Sequence, residues 1–104
     1  MKFAEKVYEI TKKIPNGKVS TYKMVAEALG CKAYRAVGNA LNKNKHWPEI
    51  PCHRIVGHDG RLTGFARGLK EKARLLSKEG IEIKNGRVIN LKKYLYKIDV
   101  VSLK

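Results

Sequence analysis

The sequence predicts a mainly α-helical domain with small β elements, built around a helix-turn-helix pair. Three observations predict it. Apolar residues recur at helical spacing in four separate stretches, and glycine or a Pro-Asn-Gly turn stands at the ends of most of them. The clearest alternation of apolar and polar residues surrounds an Asn-Gly pair late in the chain. A length of 104 residues suits one domain.

Phe3, Val7, Ile10 and Ile14 share one face, so a helix is expected over residues 3–13, stopped by Pro15-Asn16-Gly17. Ser20 or Thr21 can cap the next helix, whose buried stripe is Met24, Val25, Ala28 and Leu29, with Gly30 as its stop. A third helix is expected from Ala33 to Lys43, with Val37, Ala40 and Leu41 inward. Two short helices joined around a glycine form the helix-turn-helix pattern, which many proteins use without touching DNA. Pro48 and Pro51 forbid a helix over the following segment. Ile55-Val56 reads as a strand and His58-Asp59-Gly60 as a turn, while Gly64 and Gly68 bracket a loop. A last strong helix runs from Leu69 to Glu79 with Ala73, Leu75 and Leu76 inward, ended by Gly80. Residues 81–84 and 87–89 form a hairpin about Asn85-Gly86, and a helical or irregular end runs from Leu91 to Lys104.

The apolar content of 43% is too high for general disorder, and no apolar run approaches the length of a membrane span. The N-terminal residues lack the apolar core of a signal peptide, so a cytoplasmic protein without membrane contact is expected. The formal charge of +14 points to a polyanionic partner, nucleic acid being the usual one; a solvated lysine-rich surface is the plainer alternative. Cys31 and Cys52 do not make a disulfide framework, and no paired Cys/His spacing suggests zinc. No metal or cofactor is expected.

Cys52 stands beside His53 and Arg54 in a proline-shaped loop. Nearby cations lower a thiol's pKa, and a histidine oriented by a carboxylate can take its proton. Glu79 is the candidate orienter. Taken alone, such a pair is more commonly a small buried hydrophobe beside a surface histidine.

The segment Ile50-Pro51-Cys52-His53-Arg54-Ile55-Val56 resembles the active-site segment of O6-alkylguanine-DNA alkyltransferases. Arg35-Ala36-Val37-Gly38 resembles the family's recognition-helix motif, and Ser20-Thr21-Tyr22 its Ser-Tyr segment. Leu75-Leu76 followed by Glu79-Gly80 resembles the end of its last helix. All four occur in family order over residues 3–83. The resemblance implies a winged helix-turn-helix-like domain that binds duplex DNA containing O6-alkylguanine and transfers the alkyl group once, irreversibly, to Cys52. It corresponds to the C-terminal active domain of such proteins, with residues 1–83 carrying the site and 84–104 a hairpin and tail of the same domain. A monomer is expected, with cooperative assembly along DNA left open.

The resemblance also implies roles. Cys52 is the nucleophile, His53 its base through a water, Glu79 the orienter, and Asn44 the brace of the active-site turn. Tyr22 donates to guanine N3 and helps rotate the nucleotide out; Arg35 fills the vacated stack. Ala36, Gly38 and Tyr34 lie on the DNA-facing helix. Leu41 lies against the flipped base. The carbonyls of Cys52 and Ile55 and the N–H of Ala66 read the guanine edge. Tyr34 stands where a small residue is common, and Arg67, near the alkyl pocket, where glycine is frequent. Cys31 is read as structural. Single-domain relatives with tryptophan in place of the cysteine bind lesions without repairing them, so lesion binding without chemistry is the rival expectation. A sequence-specific transcription regulator is a third.

Overall fold

The computed structural model describes residues 2–65 and 67–98. Helix α1 (Phe3–Lys12) buries Val7, Ile10 and Thr11, and the Glu5 carboxylate accepts from the Lys2 N–H at 3.4 Å to close its first turn. Strand β1 (Ser20–Thr21) runs straight into α2 (Tyr22–Ala28), where the Thr21 hydroxyl accepts the Met24 N–H at 3.0 Å. Thr21 therefore serves as both strand residue and cap; the cap is expected from sequence and the strand is not. Helix α3 (Tyr34–Asn42) buries Val37, Ala40 and Leu41. A 3-10 turn (Cys52–Arg54) leads into β2 (Ile55–Val56), then come α4 (Leu69–Lys78), β3 (Ile83–Lys84), β4 (Arg87–Val88) and the single turn α5 (Leu91–Tyr94).

Helices α2 and α4 end in the same way. Gly30 (φ +76°) and Gly80 (φ +88°) sit in the left-handed region. Cys31 N–H then bonds Ala26 O at 3.0 Å, and Ile81 N–H bonds Leu76 O at 3.1 Å, which satisfies carbonyls left open by each helix end. At α4 this stop decides where Glu79 points, because Glu79 is the last residue before the chain reverses.

Strand β2 pairs in parallel with β1, Ser20 opposite Ile55 and Thr21 opposite Val56. Its two side chains point to opposite faces. Ile55 joins a core made by α1, α2 and α3, including Val7, Ile10, Val25, Val37 and Leu41; Val56 joins a second core with Val19, Leu62, Leu76, Ile81, Val88 and Tyr94. The segment just before β2 thus lies at the seam between the two. Strands β3 and β4 pair antiparallel about Asn85-Gly86 and are shorter than the alternation predicts. The tail is bound to the body: Tyr96 N–H donates to Val19 O and Val19 N–H to Tyr94 O, each at 2.8 Å. The end of the expected tail, residues 99–104, lies outside the described residues.

One sequence expectation fails inside α4. Leu75 is only partly buried, and the fully buried partner of Leu76 is Lys72. The helix face turned to the core is set by Lys72, Ala73 and Leu76, one step round from the expected stripe, because the Lys72 ammonium finds backbone acceptors inside.

Candidate active site

The prolines at 48 and 51 keep residues 44–51 out of helix, and Asn44 ties that segment together. Its side-chain amide donates to Ile50 O at 2.8 Å while its Oδ1 accepts the His46 N–H at 2.8 Å. Cys52 N–H also bonds Ile50 O at 2.8 Å, so the turn bearing Cys52 is held from both sides. Cys52 is half-buried against the first core. It opens onto a cleft of about 220 Å³ lined also by Leu41, Asn44, Trp47, Phe65 and Arg67.

His53 is 3% exposed, and its ring makes two side-chain bonds. The indole N–H of Trp47 can only donate, so His53 Nδ1, at 3.0 Å, accepts. The hydrogen therefore sits on Nε2, which donates to Glu79 Oε2 at 2.7 Å. Glu79 also accepts two bonds of 2.9 Å from the Arg54 guanidinium and one of 3.3 Å from Gly17 N–H. Arg54 is held in turn by Ile14 O at 2.9 Å. Burial pushes the Glu79 carboxyl up, but the hydrogen bonds from Arg54 and His53 outweigh it and leave it below the ordinary carboxylate range. Burial pulls His53 below its ordinary value against the opposing pull of Glu79.

Lys72 is the second buried cation. Its Nζ donates to Ile55 O at 2.5 Å and Thr63 O at 2.7 Å. Burial lowers it to about 8, and it lies within electrostatic reach of Cys52, whose negative form favours the ammonium. Tyr22 is raised by burial, partly offset by its hydrogen bond with Thr63. Its hydroxyl donates to Thr63 O and accepts from Thr63 Oγ1, each at 3.2 Å. On the outer side of α2 and α3, a groove is lined by Tyr22, Lys23, Tyr34, Arg35, Gly38 and His58. Arg35 is exposed, and Tyr34 is 39% exposed.

A cysteine at a cleft floor, a buried His-Glu-Arg network behind it and a basic groove beside it suit nucleophilic chemistry on a polyanion. Residues 2–81 match the family described as 6-O-methylguanine DNA methyltransferase, DNA binding domain. The chain belongs to that family. A methylated-DNA--protein-cysteine methyltransferase of Saccharolobus solfataricus is 47% identical over 81 residues, which cover 78% of this chain and 52% of that protein. A bifunctional methyltransferase/endonuclease of Picrophilus torridus is 45% identical over 91 residues, 86% of this chain and 30% of that one. The chain thus spans about half or less of the length of these curated relatives. Among solved structures, S. pombe Atl1 in complex with damaged DNA containing O6-carboxymethylguanine superposes with a TM-score of 0.81 at 32% identity, covering 91% of this chain and 94% of that one. The O6-methylguanine-DNA methyltransferase of Pyrococcus kodakaraensis gives 0.70 at 43% identity, covering 78% and 47%.

The expected site residues of this methyltransferase family fall into two groups. Cys52, Asn44, Leu41 and Arg67 share the cleft, with His53 and Glu79 bonded behind it. Tyr22, Tyr34, Arg35 and Gly38 share the groove, and the half-buried Ala36 lies on the same helix, α3. Two carbonyls expected to read the guanine edge already accept one bond each, Cys52 O from Ile55 N–H and Ile55 O from Lys72. Ala66 lies outside the described residues. Sequence reasoning missed Lys72, Trp47 and Thr63, and gave Arg54 no partner. Lys72 was findable in part, since it precedes the fully buried Leu76 by four on the same face, although Leu69, three before it, is exposed. Trp47 carries no periodic signal.

The two shifts behind Cys52 have the same sign for stability. His53 titrates lower folded than unfolded, so the unfolded chain takes up its proton first, and stability is lost as pH falls below 6.5. Glu79 adds a further loss below 4.5. Thermal melts between about pH 7.5 and about pH 5 should show a falling Tm in the wild type and a flatter profile in His53→Gln. Parallel profiles would remove His53 as the titrating group.

Proposed function

We propose that the chain is a single-turnover DNA repair transferase that moves the alkyl group of O6-alkylguanine to Cys52 Sγ. The observation that carries this reading is the placement of Cys52: it opens onto a cleft against α3, with His53 bonded to Glu79 behind it. An alkyl carbon on guanine O6 points into the duplex, so the nucleotide must leave the stack before a sulfur can reach it. The groove carrying Tyr22 and Arg35 supplies that step: Arg35 enters the vacated stack and Tyr22 turns from Thr63 to donate to guanine N3. Leu41 lies against the extruded base. Tyr34, Ala36 and Gly38 set how closely α3 approaches the DNA. Ile55 O and the Ala66 N–H read the base edge, and Arg67 borders the alkyl pocket. His53 takes the thiol proton with Glu79 stabilising the imidazolium. The sulfur forms a bond to the alkyl carbon as the carbon–O6 bond breaks, and the leaving guanine gains a proton in place of the one the thiol lost.

The test is intact-protein and peptide mass spectrometry after incubation with a duplex containing one O6-methylguanine. One methyl group on the Cys52 peptide, with guanine restored in the DNA, is the expected result; tight binding without mass gain overturns transfer. Lesion binding without chemistry is the second reading, favoured by the similarity to Atl1 over 94% of that chain. Arg35→Ala separates extrusion from chemistry. Its transfer rate from duplex should fall by about tenfold, while that from free O6-methylguanine base stays within about twofold, because an inserted side chain offsets only the cost of unstacking. Equal losses on both substrates would remove Arg35 from the stack.

A further inference from the structure

Every lone pair and proton that the buried imidazole of His53 offers is used in this structure. Nε2–H donates to Glu79 Oε2 at 2.7 Å, and Nδ1 accepts the Trp47 indole N–H at 3.0 Å. A neutral imidazole has one basic nitrogen, so a base whose Nδ1 is already accepting has no place for a thiol proton. The indole making that bond is itself held from the outside. The Arg67 guanidinium lies 4.4 Å over its ring, and the Phe65 ring meets it edge-on at 6.3 Å. Trp47, Phe65 and Arg67 also line the cleft that contains Cys52. A group that reaches the sulfur therefore arrives beside the indole.

We propose that Trp47 is a positioning residue that holds the base in reserve: its indole N–H occupies His53 Nδ1 until a substituent in the Cys52 cleft displaces the ring. This inference rests on the transferase reading for its purpose and stands on the His53 geometry for its content. In the resting protein His53 has no free basic nitrogen to receive the Cys52 proton. When the indole shifts, the thiol proton passes through a water to Nδ1, the other hydrogen stays on Nε2 with Glu79 accepting it, and the sulfur lone pair is free to form its bond to carbon. A protein that reacts once loses its function with any stray alkylation, so a base released only by an occupant of the cleft protects the thiol.

The experiment compares wild type, Trp47→Phe, Trp47→Leu and the double variant Trp47→Phe/His53→Gln. Each is checked for folding by circular dichroism. The first readout is the rate of carbamidomethylation by iodoacetamide near neutral pH, mapped by peptide mass spectrometry to Cys52, with Cys31 as internal reference. Neither phenylalanine nor leucine can donate to Nδ1. The Cys52 rate should rise by about tenfold in whichever single variant folds, below the ~100-fold that a fully positioned base contributes. The Cys31 rate should stay constant, and the double variant should lose the gain. The second readout is the histidine side-chain ¹⁵N spectrum, in which the Nδ1 resonance of His53 should move downfield as its hydrogen bond is lost. A ring that merely fills space gives lower or unchanged Cys52 reactivity on truncation; that outcome, or a gain that survives His53→Gln, overturns the proposal. Methyl transfer from O6-methylguanine duplex is measured alongside. A wild type that transfers no methyl group while Trp47→Phe still raises thiol reactivity sinks the transferase reading and leaves the role of Trp47 standing. A wild type that transfers, with no gain in either single variant, does the reverse.

Discussion

Cys52→Ala should show no methyl transfer at all while still binding duplex that carries O6-methylguanine. The expected loss is total because the sulfur is the acceptor: without it no covalent product can form, whatever the state of His53, Glu79 or Tyr22. The other cysteine, Cys31, lies in the turn between α2 and α3 and does not line the cleft. Binding draws on different groups. The groove of Tyr22, Lys23, Tyr34 and Arg35 is untouched by the substitution, and the formal charge of +14 is unchanged. The affinity for lesion duplex should therefore stay within about threefold of wild type, under 1 kcal/mol, when both are measured by fluorescence anisotropy at one salt concentration. Alanine also keeps the half-buried position apolar, so folding is preserved. A mass gain on the alanine variant would mean another acceptor and would end the Cys52 mechanism; a collapse in affinity would mean that the cysteine contributes mainly to lesion recognition.

The parts of this site legible in sequence are those with a short-range cause. Gly30 and Gly80 announce helix ends because a chain reversing out of a helix favours a residue tolerant of positive φ, and both adopt it. Asn85-Gly86 announces a hairpin for a similar local reason. The pairing of β1 with β2 joins residues 35 apart, and nothing in either dipeptide names its partner. The same holds for the site. Pro51-Cys52-His53-Arg54 marks a proline-shaped turn by its own composition, and its expected reactivity, with Glu79 as orienter, comes from the family pattern. That Arg54, rather than His53 alone, secures Glu79 depends on a contact 25 residues away in sequence. A lysine at position 72 reads as polar, and its burial is made tolerable by the carbonyls of Ile55 and Thr63 that accept from it. Trp47 falls in a loop shaped by prolines, and a loop has no period to show which way its ring turns.

Glu79→Ala should lower folding stability by about 3 kcal/mol or more, a loss large enough to threaten a domain this small. Its carboxylate is 10% exposed and is the shared acceptor of the His53 imidazole, the Arg54 guanidinium and the Gly17 N–H. Deleting it leaves Arg54, 15% exposed, with Ile14 O as the remaining acceptor for its buried charge among the described residues. An unpaired buried cation costs more than the pair contributed, which is why truncation is more damaging than the strength of one surface ion pair would suggest. Glu79→Gln should cost less, about half as much, because its amide oxygen still accepts from Arg54 while its amide hydrogens face the Nε2–H of His53 donor to donor. Urea unfolding at about pH 7, read by linear extrapolation with the slope held under scrutiny, measures both. A loss under about 1 kcal/mol for the alanine variant would mean that water replaces the carboxylate at Arg54, and that the network is held by the turn rather than by its charges. The two substitutions act on different parts of the site: Cys52→Ala should remove the proposed acceptor from a folded protein, whereas Glu79→Ala removes the shared acceptor that ties the Cys52 turn, through His53 and Arg54, to the end of α4 and to Gly17.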